Sequence, residues 1–279
     1  MADPDFYRAF EDRHRGSRAL IKSRVKVYLP FLYPLKVLYP DTPVLDLGCG
    51  RGEWLELLGE EGVTAHGVDQ DAGMLSACKE LGLSVEQGDA LEALRKLPDA
   101  SQIVVSGFHI AEHVPFPILQ EMVREALRVL KPAGLLILET PNAENLVVGS
   151  SSFYLDPTHQ RPLPPLLLSF LTEYTGFLRN KILRLQESPE LVEGDAPVSL
   201  IQVLAGVSPD YAVVAQKAAT AKKLKSFDAP FDQQYGLTLA DLARRYEASL
   251  RAEIIRELKP KRRKPKAQAA SDAQDAPKK

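Results

Sequence analysis

The chain has 279 residues, of which 45% are hydrophobic and 26% charged, and this composition excludes a disordered or fibrous protein. The apolar stretches 29–40 and 163–171 are interrupted by proline, so we expect no transmembrane helix, and the acidic amino terminus does not resemble a secretory signal. Two cysteines are too few for a disulfide framework or a cysteine-based zinc site, which makes the cytoplasm the expected location.

The first half of the sequence alternates strands with helices. Residues 4–36 have helical periodicity with a break at Gly16. Apolar strands are then predicted at 43–48, 63–69, 83–89, 101–108 and 135–141, with helices at 52–62, 72–82, 90–97 and 117–134. This order predicts βαβ units and therefore a parallel sheet covered by helices on both faces.

The second half is less regular. A helix is predicted at 166–178, strands at 181–188 and 210–217, and an acidic loop at 191–197. Residues 238–258 form a strongly amphipathic pattern, which predicts a helix that docks on the domain or pairs with another chain. The tail 259–279 is rich in Lys and Arg and lacks periodic apolar residues, so we expect it to be disordered.

A glycine-rich turn follows the first predicted strand, in the sequence VLDLGCGRGEW at 44–54. Glycines at this point let a ligand approach the backbone closely. Asp46 lies just before the turn, where it disfavours a phosphate and favours a ligand with a cationic amino group. Asp69 ends the second strand, where an acid accepts ribose hydroxyls, and Asp89 ends the third, where it can accept from an adenine amino group.

Each of these acids also has a structural explanation. Asp46 is a candidate helix cap, Asp69 a turn residue and Asp89 the N-cap of the next helix. Three acids at three successive strand ends nevertheless favour a pocket for an adenosyl group without phosphates.

The segments VLDLGCGRGEW, GVDQD, QGDA and LRVLKPAGLLILETPN resemble the class I S-adenosylmethionine-dependent methyltransferases, over residues 43–142. The resemblance implies an enzyme that binds S-adenosylmethionine on a Rossmann-like, mostly parallel sheet of seven strands, with an antiparallel last strand. It implies cofactor contacts from Tyr7, Arg18, Asp46, Gly48, Cys49, Gly50, Asp69, Gln70, Asp89, Ala90 and Phe108.

The flanking segments 6–32 and 141–165 are similar to the methyltransferase domain of bacterial enzymes that cap and terminate O-antigen chains. This resemblance implies O-methylation of the terminal sugar of a surface polysaccharide in lipopolysaccharide biosynthesis, at a hydroxyl or a phosphate. It also implies that the N-terminal helix lies across the pocket, with Arg18 pairing with the methionyl carboxylate. A solvated basic face is the alternative for this helix.

The chain therefore divides into four predicted segments. Residues 1–36 are an N-terminal helical lid and 37–222 the methyltransferase domain. Residues 223–258 are a C-terminal amphipathic helix extension, and 259–279 are the disordered basic tail.

Two polar segments follow the fourth and fifth strands, at the sheet edge where α/β proteins bind ligands. A sugar hydroxyl needs a general base, whereas a phosphate needs cationic groups. We predict His159, oriented by Asp156, and His113 as catalytic residues, and His109, Tyr154 and Arg161 as acceptor contacts.

Other interpretations of these segments stay open. Residues 156–159 also have the pattern of a turn. The predicted site contains no metal, although Glu112, His113 and Asp156 are an alternative ligand set.

The expected partner is a saccharide acceptor, and no nucleic-acid partner is expected. Helix 238–258 and the tail are candidate contacts for a glycosyltransferase or polymerase complex, for the inner face of the inner membrane, or for a second copy of the chain. Two other functions remain open: methylation of a small metabolite such as a quinone or lipid precursor, and a non-catalytic cofactor-binding scaffold.

Overall fold

A seven-stranded sheet forms the centre of the computed structural model, which describes residues 16–192 and 197–258. The strand order is β3-β2-β1-β4-β5-β7-β6. Strands β1 to β5 pair in parallel, whereas β7 is antiparallel to both β5 and β6, which confirms the predicted class I topology. The strand bounds are β1 Val44–Leu47, β2 Ala65–Asp69, β3 Val85–Gln87, β4 Gln102–Phe108, β5 Leu130–Pro141, β6 Arg179–Leu185 and β7 Asp210–Gln216.

Helices connect the strands on both faces of the sheet. Their bounds are α1 Arg18–Val25, α2 Leu29–Leu38, α3 Glu53–Glu60, α4 Ala72–Glu80, α5 Ala90–Lys96, α6 Phe116–Val129, α7 Leu146–Ser150, α8 Pro165–Thr175, α9 Pro189–Val192, α10 Leu200–Ala205, α11 Ala221–Lys225, α12 Asp228–Asp232 and α13 Leu239–Leu258. Lys26–Tyr28 and Ser152–Leu155 are short 3₁₀ turns.

The boundary between α6 and β5 differs from the sequence prediction. The helix was expected to continue to Gly134, but it ends at Val129 and the strand begins at Leu130. Pro132 accounts for the difference, because a proline disfavours the helical conformation of the residue before it.

Strand β7 separates two hydrophobic cores. Tyr211 and Val213 face the layer formed by α5, α6 and α8. Ala212 and Val214 face the layer formed by α1, α2, α3 and α12. This alternation follows from the two-residue period of a strand. Because helices cover both faces of the sheet, the successive residues 211–215 of β7 are all apolar.

Core packing crosses both predicted domain boundaries. Tyr28, just before α2, and Phe31 and Leu35 within it are fully buried, so α2 belongs to the core, as does Val25 at the end of α1. After residue 222, Phe227 and Phe231 pack in that same core. The hydrophobic core thus includes residues on either side of the predicted range 37–222.

Helix α13 is attached by its first turns. Leu242 is buried against Val203 and Val207, with Tyr246 packed at the edge of this cluster. Ile254 and Leu258 are 47% and 77% exposed. Within 16–192 and 197–258, no helix combines the length and apolarity needed to span a bilayer.

Candidate active site

The turn after β1 contains three glycines in the left-handed backbone region. Gly48, Gly50 and Gly52 have φ angles of +65°, +51° and +77°. A Cβ atom on Gly48 would lie 3.2 Å from Cδ1 of Ile110, so a side chain there would strain the backbone and crowd the loop after β4. The turn therefore leaves open backbone at the carboxyl edge of the sheet.

Asp69 joins the end of β2 to the glycine turn. Its Oδ2 accepts a hydrogen bond from the amide of Gly50 at 2.8 Å, and its Oδ1 accepts from the amide of Asp71 at 2.8 Å. A carboxylate has about four lone-pair sites, so Asp69 can accept further hydrogen bonds from a ligand.

Gln70 and Asp89 meet where β2 and β3 end. Gln70 Nε2 donates to Asp89 Oδ2 at 3.2 Å. Asp89 Oδ1 accepts from the amides of Leu91 and Glu92, so Asp89 is the N-cap of α5, which begins at Ala90. The structural explanation of Asp89 is correct, and it is compatible with ligand binding because a different oxygen faces Gln70.

Asp46 lies within β1 rather than at a helix cap. It is buried, and its Oδ1 accepts a hydrogen bond from Ser106 Oγ at 2.7 Å. Cys49 is also buried, with its sulfur against Gly67, whereas Phe108 is half-buried at the end of β4. Asp46 and Cys49 are thus buried beside the glycine turn, where their contacts stabilise it.

Ion pairs hold α1 against α3. Arg18 Nε donates to Glu56 Oε2 at 2.7 Å and its Nη1 donates to the carbonyl of Arg51 at 2.6 Å. Lys22 donates to Glu56 Oε1 at 2.8 Å, and this hydrogen bond is the main cause that lowers the pKa of Glu56.

One donor of Arg18 is not used by these contacts. Its Nη2 is buried 2.6 Å from Glu56 Oε2, without an aligned hydrogen-bond acceptor among the described residues. A ligand carboxylate would satisfy this donor and share the guanidinium with Glu56. Tyr7, the other predicted contact of this helix, lies outside the described residues.

His109 follows β4 in a strained conformation. Its φ is +56°, which costs about 1 to 2 kcal/mol for a residue with a side chain. Nδ1 lies 3.2 Å from Glu112 Oε1, and Nε2 lies 3.7 Å from Glu139 Oε1. Desolvation opposes the charged imidazole, but the two carboxylates outweigh it and hold the pKa of His109 well above its ordinary value.

Glu139 is a site residue that the sequence interpretation missed. It is buried near the end of β5, accepts hydrogen bonds from the Tyr28 hydroxyl and from Gln186 Nε2, and lies with His109 and Asp210 in one cluster. Burial is the main cause that raises the pKa of Asp210 to about 6. An acid at the end of an otherwise apolar strand was the signal that could have identified Glu139.

The loop after β5 contains both a turn and an oriented histidine. Asp156 Oδ1 accepts from the amide and the hydroxyl of Thr158, at 2.8 and 2.6 Å, as the turn interpretation predicts. His159 Nδ1 lies 2.6 Å from the carbonyl oxygen of Phe153, whereas its Nε2 lies 3.8 Å from Asp156 Oδ2. The carbonyl of Phe153, and not Asp156, therefore orients the imidazole.

His113 brings the loop after β4 against the loop after β5. Its Nδ1 lies 2.9 Å from Thr158 Oγ1, and its ring centroid is 4.7 Å from that of His159. Burial is the main cause that lowers the pKa of His113. The neighbouring Glu112 is 1% exposed and accepts a hydrogen bond from Thr140 Oγ1 at 2.8 Å.

The predicted acceptor contacts Tyr154 and Arg161 are exposed. Tyr154 is 61% exposed, and the guanidinium of Arg161 stacks over the Phe116 ring at 4.5 Å. Both side chains remain accessible to a ligand that reaches this loop.

A cavity of about 470 Å³ opens beside Glu139. Helix α1 forms one wall, the end of β6 another, and the segment before α13 a third. Nine of its thirteen lining residues have side chains that can donate or accept hydrogen bonds: Ser23, Arg24, Glu139, Arg184, Gln186, Glu187, Gln233, Gln234 and Tyr235.

Comparison with known proteins shows that this chain is similar to methyltransferases. The family described as "Methyltransferase domain" matches residues 44–134. A probable S-adenosylmethionine-dependent methyltransferase of Mycolicibacterium smegmatis is 31% identical over 153 residues, which cover 55% of this chain and 58% of that protein. A ubiquinone biosynthesis O-methyltransferase of Pseudomonas fluorescens is 34% identical over 104 residues, which cover 36% of this chain and 44% of that protein. The matched regions thus span only about half the length of these curated relatives.

The similarity to solved structures extends further along the chain. A S-adenosylmethionine-dependent methyltransferase from Archaeoglobus fulgidus superposes with a TM-score of 0.67 and 34% identity, over 76% of this chain and 100% of that chain. Phosphoethanolamine N-methyltransferase 2 of Haemonchus contortus, in complex with S-adenosyl-L-methionine, has the same fold, with a TM-score of 0.51 and 18% identity over 76% of this chain and 60% of that chain.

Proposed function

Because the chain belongs to the class I S-adenosylmethionine-dependent methyltransferases, we propose that it methylates an oxygen of a saccharide acceptor. The acceptor we favour is the terminal sugar of a bacterial surface polysaccharide such as O-antigen, which methylation would cap. The cavity beside Glu139, with nine side chains in its lining that can donate or accept hydrogen bonds, is the observation that carries this proposal.

The residues at the carboxyl edge fit the cofactor. The open backbone at Gly48 and Gly50 admits a ligand, Asp69 can accept ribose hydroxyls, and Nη2 of Arg18 can donate to a methionyl carboxylate. The cofactor supplies an electrophilic methyl group on a sulfonium, so the protein has mainly to position the acceptor and exclude water.

The cavity supports a saccharide more than an isoprenoid quinone. Sugars are recognised by many hydrogen bonds together with an aromatic face, and the lining provides amides, carboxylates, guanidinium groups and the ring of Tyr235. A long apolar chain would instead cover polar side chains such as Gln233 and Gln234 without replacing their hydrogen bonds to water, at a cost of about 1 to 3 kcal/mol for each one that becomes buried.

Glu139 is placed to accept the hydrogen bond of an acceptor hydroxyl, because it lines the cavity and belongs to the cluster with Asp210. S-adenosylmethionine, when bound, would supply the methyl group, and this cluster would take up the proton that the acceptor hydroxyl loses as its oxygen is methylated. With a pKa of about 6, Asp210 is near the value at which a general base is effective at neutral pH.

His159 remains an alternative base. Its Nδ1 donates to a carbonyl, which leaves the lone pair on Nε2. His159 does not line the cavity beside Glu139, so we favour the acid cluster.

A small metabolite is the second candidate acceptor. The similarity to ubiquinone biosynthesis O-methyltransferases favours it, although that similarity is confined to 104 residues. The two candidates differ in the polarity of the acceptor, which a direct assay separates.

The deciding experiment measures transfer of radiolabelled methyl groups from S-adenosylmethionine to oligosaccharides with and without a terminal phosphate, and to a quinol precursor. We expect label in a glycan fraction, and we expect Glu139→Gln to reduce turnover by about 10²-fold or more. Asp41→Asn, an exposed acid outside the site, is the control. Label in the quinol fraction alone would establish the second candidate instead.

A further inference from the structure

Three metal-binding side chains converge between the loops after β4 and β5. Glu112, His113 and His159 each offer one ligand atom, and these three atoms lie within 4.8 Å of one another. Glu112 is buried, and the two imidazoles are half-buried. The sequence interpretation predicted a site without metal and named Asp156, not His159, in its alternative ligand set.

The hydrogen bonds of His113 determine which of its nitrogens carries the proton. The hydroxyl of Thr158 has one proton, and it donates this proton to Asp156 Oδ1 at 2.6 Å. Thr158 Oγ1 must therefore accept from Nδ1–H of His113, at 2.9 Å. The neutral imidazole of His113 consequently has its lone pair on Nε2.

His159 has the same tautomer for an independent reason. A backbone carbonyl can only accept, so the 2.6 Å contact with Phe153 requires the proton on Nδ1 and leaves the lone pair on Nε2. In the part of the chain that the structure describes, neither Nε2 atom has a hydrogen-bond partner. Each of the two half-buried imidazoles thus keeps an unused lone pair on Nε2.

This arrangement has the outer hydrogen bonds of a metal site already in place. Histidines that bind metals usually donate their other ring N–H to a carbonyl or, directly or through a relay, to a carboxylate, which fixes tautomer and ring orientation. His159 does so to Phe153, and His113 does so through Thr158 to Asp156. The Glu112 carboxylate is oriented in turn by Thr140.

We propose that Glu112, His113 and His159 bind one divalent first-row transition-metal ion. Two imidazoles and one carboxylate suit Mn²⁺, Fe²⁺, Co²⁺ or Zn²⁺ better than Mg²⁺ or Ca²⁺, which prefer oxygen ligands. Three protein ligands leave coordination positions open, as in catalytic rather than structural sites.

The location of the ion gives it a role in acceptor binding, and this part rests on the proposed function. Glu112 contacts His109, and His109 contacts Glu139 in the cavity wall. An ion beside that wall would attract and polarise the oxygens of a hydroxyl-rich or phosphorylated acceptor. His113 and His159 are then ligands rather than general bases.

The test is metal binding by the full-length protein without any acceptor. Chelator-treated protein is titrated with Co²⁺, followed by its visible ligand-field absorption, and with Zn²⁺ and Mn²⁺ by calorimetry. We expect one binding event, weakened at least about 10- to 100-fold in His113→Gln and Glu112→Gln. Thr158→Val, which removes only the relay to Asp156, should weaken binding by a similar factor.

His66→Gln is the matched control, because His66 lies on β2 beside Ser84, outside the cluster, and should leave metal binding unchanged. Binding of S-adenosylmethionine and a cooperative thermal transition show that each variant is folded. The proposal is wrong if folded wild-type protein binds no Co²⁺ or Zn²⁺, or if the ligand variants bind as tightly as wild type. If metal binds but no glycan is methylated, the proposed acceptor fails while the metal site stands.

Discussion

His113 donates a hydrogen bond to Thr158 across 2.9 Å, and this contact joins two loops that are 45 residues apart in the sequence. The loop after β4 thereby contacts the turn that follows β5. The proposed acceptor side of the site depends on this junction, because the two loops contribute Glu112, His113 and His159 to one place.

Thr158→Val should destabilise the protein by about 1 kcal/mol, since it leaves Nδ1–H of His113 without its acceptor. The value lies at the low end of the usual range because Thr158 is exposed and water can replace the hydroxyl. Thermal melting should show a decrease of about 2 to 4 °C. Thr158→Ser keeps the hydroxyl and should melt like wild type; an equal loss in both variants would contradict the role of this bond.

Gly48→Ala should lower both stability and cofactor affinity. The alanine would have to adopt φ of +65°, at a cost of about 1 to 2 kcal/mol, with its Cβ 3.2 Å from Ile110. Gly59→Ala in α3 is the matched control, because its Cβ would meet nothing within 4 Å and a helical alanine is more stable by about 0.5 to 1 kcal/mol. Gly48→Ala should therefore have a lower melting temperature than wild type and should bind S-adenosylmethionine more weakly in a calorimetric titration. Gly59→Ala should have a higher melting temperature and unchanged binding.

Asp210 should make stability depend on pH. Burial raises its pKa in the folded state to about 6, above the ordinary 3.8, so the folded state holds this proton more tightly than the unfolded chain. Its contribution is therefore fully present below pH 3.8 and is lost as the pH rises through about 6. Nearby charges modify the pKa: His109 and Arg24 lower it, whereas Glu139 and Glu112 raise it.

The measurement is the free energy of unfolding of Asp210→Asn and wild type between pH 4 and 8. We expect the difference between the two proteins to shift in favour of the variant as the pH rises through about 6, because asparagine carries no charge to bury. A constant difference across this range would show that Asp210 has an ordinary pKa. Asp41→Asn is the control, because it shows how the free energy of unfolding changes with pH when an exposed acid is removed.

Removal of residues 247–279 should leave the fold intact. The cut lies after Leu242 and Tyr246, which attach α13 to the core, and it removes the exposed half with Leu250, Ile254 and Leu258. Melting temperature and methyl transfer by the purified protein should match those of the full chain. We propose that this half contacts a glycan-assembly partner or the inner face of the inner membrane, so association with isolated membranes should fall.

A longer deletion is the contrasting control. Removal of residues 237–279 also takes away Leu242 and the hydrogen bond from the Leu237 amide to Ser208 Oγ at 2.9 Å. It should lower the melting temperature, because deletion of a buried leucine side chain alone costs about 2 to 5 kcal/mol. Equal melting of both truncated proteins would mean that α13 contributes nothing to the core.

The arrangement of the proposed cofactor side was predictable from sequence because its determinants are local. The glycine turn, Asp69 and Asp89 each adjoin the strand they follow, and parallel strands bring their carboxyl ends to one edge by topology alone. The seven strands and the antiparallel β7 followed from the same periodic patterns and from the family resemblance.

The acceptor side was decided by tertiary structure, because it depends on long-range contacts that no local pattern encodes. The sequence prediction paired Asp156 with His159 because they are close in the sequence. In the structure, His159 donates to the carbonyl of Phe153 and its ring contacts that of His113. Glu139 is a candidate site residue because of long-range contacts, such as the hydrogen bond that it accepts from the hydroxyl of Tyr28, 111 residues away in the sequence. Strand ends thus fix where the glycine turn and the acids lie, whereas the packing of separate loops determines which side chains lie at the proposed acceptor side.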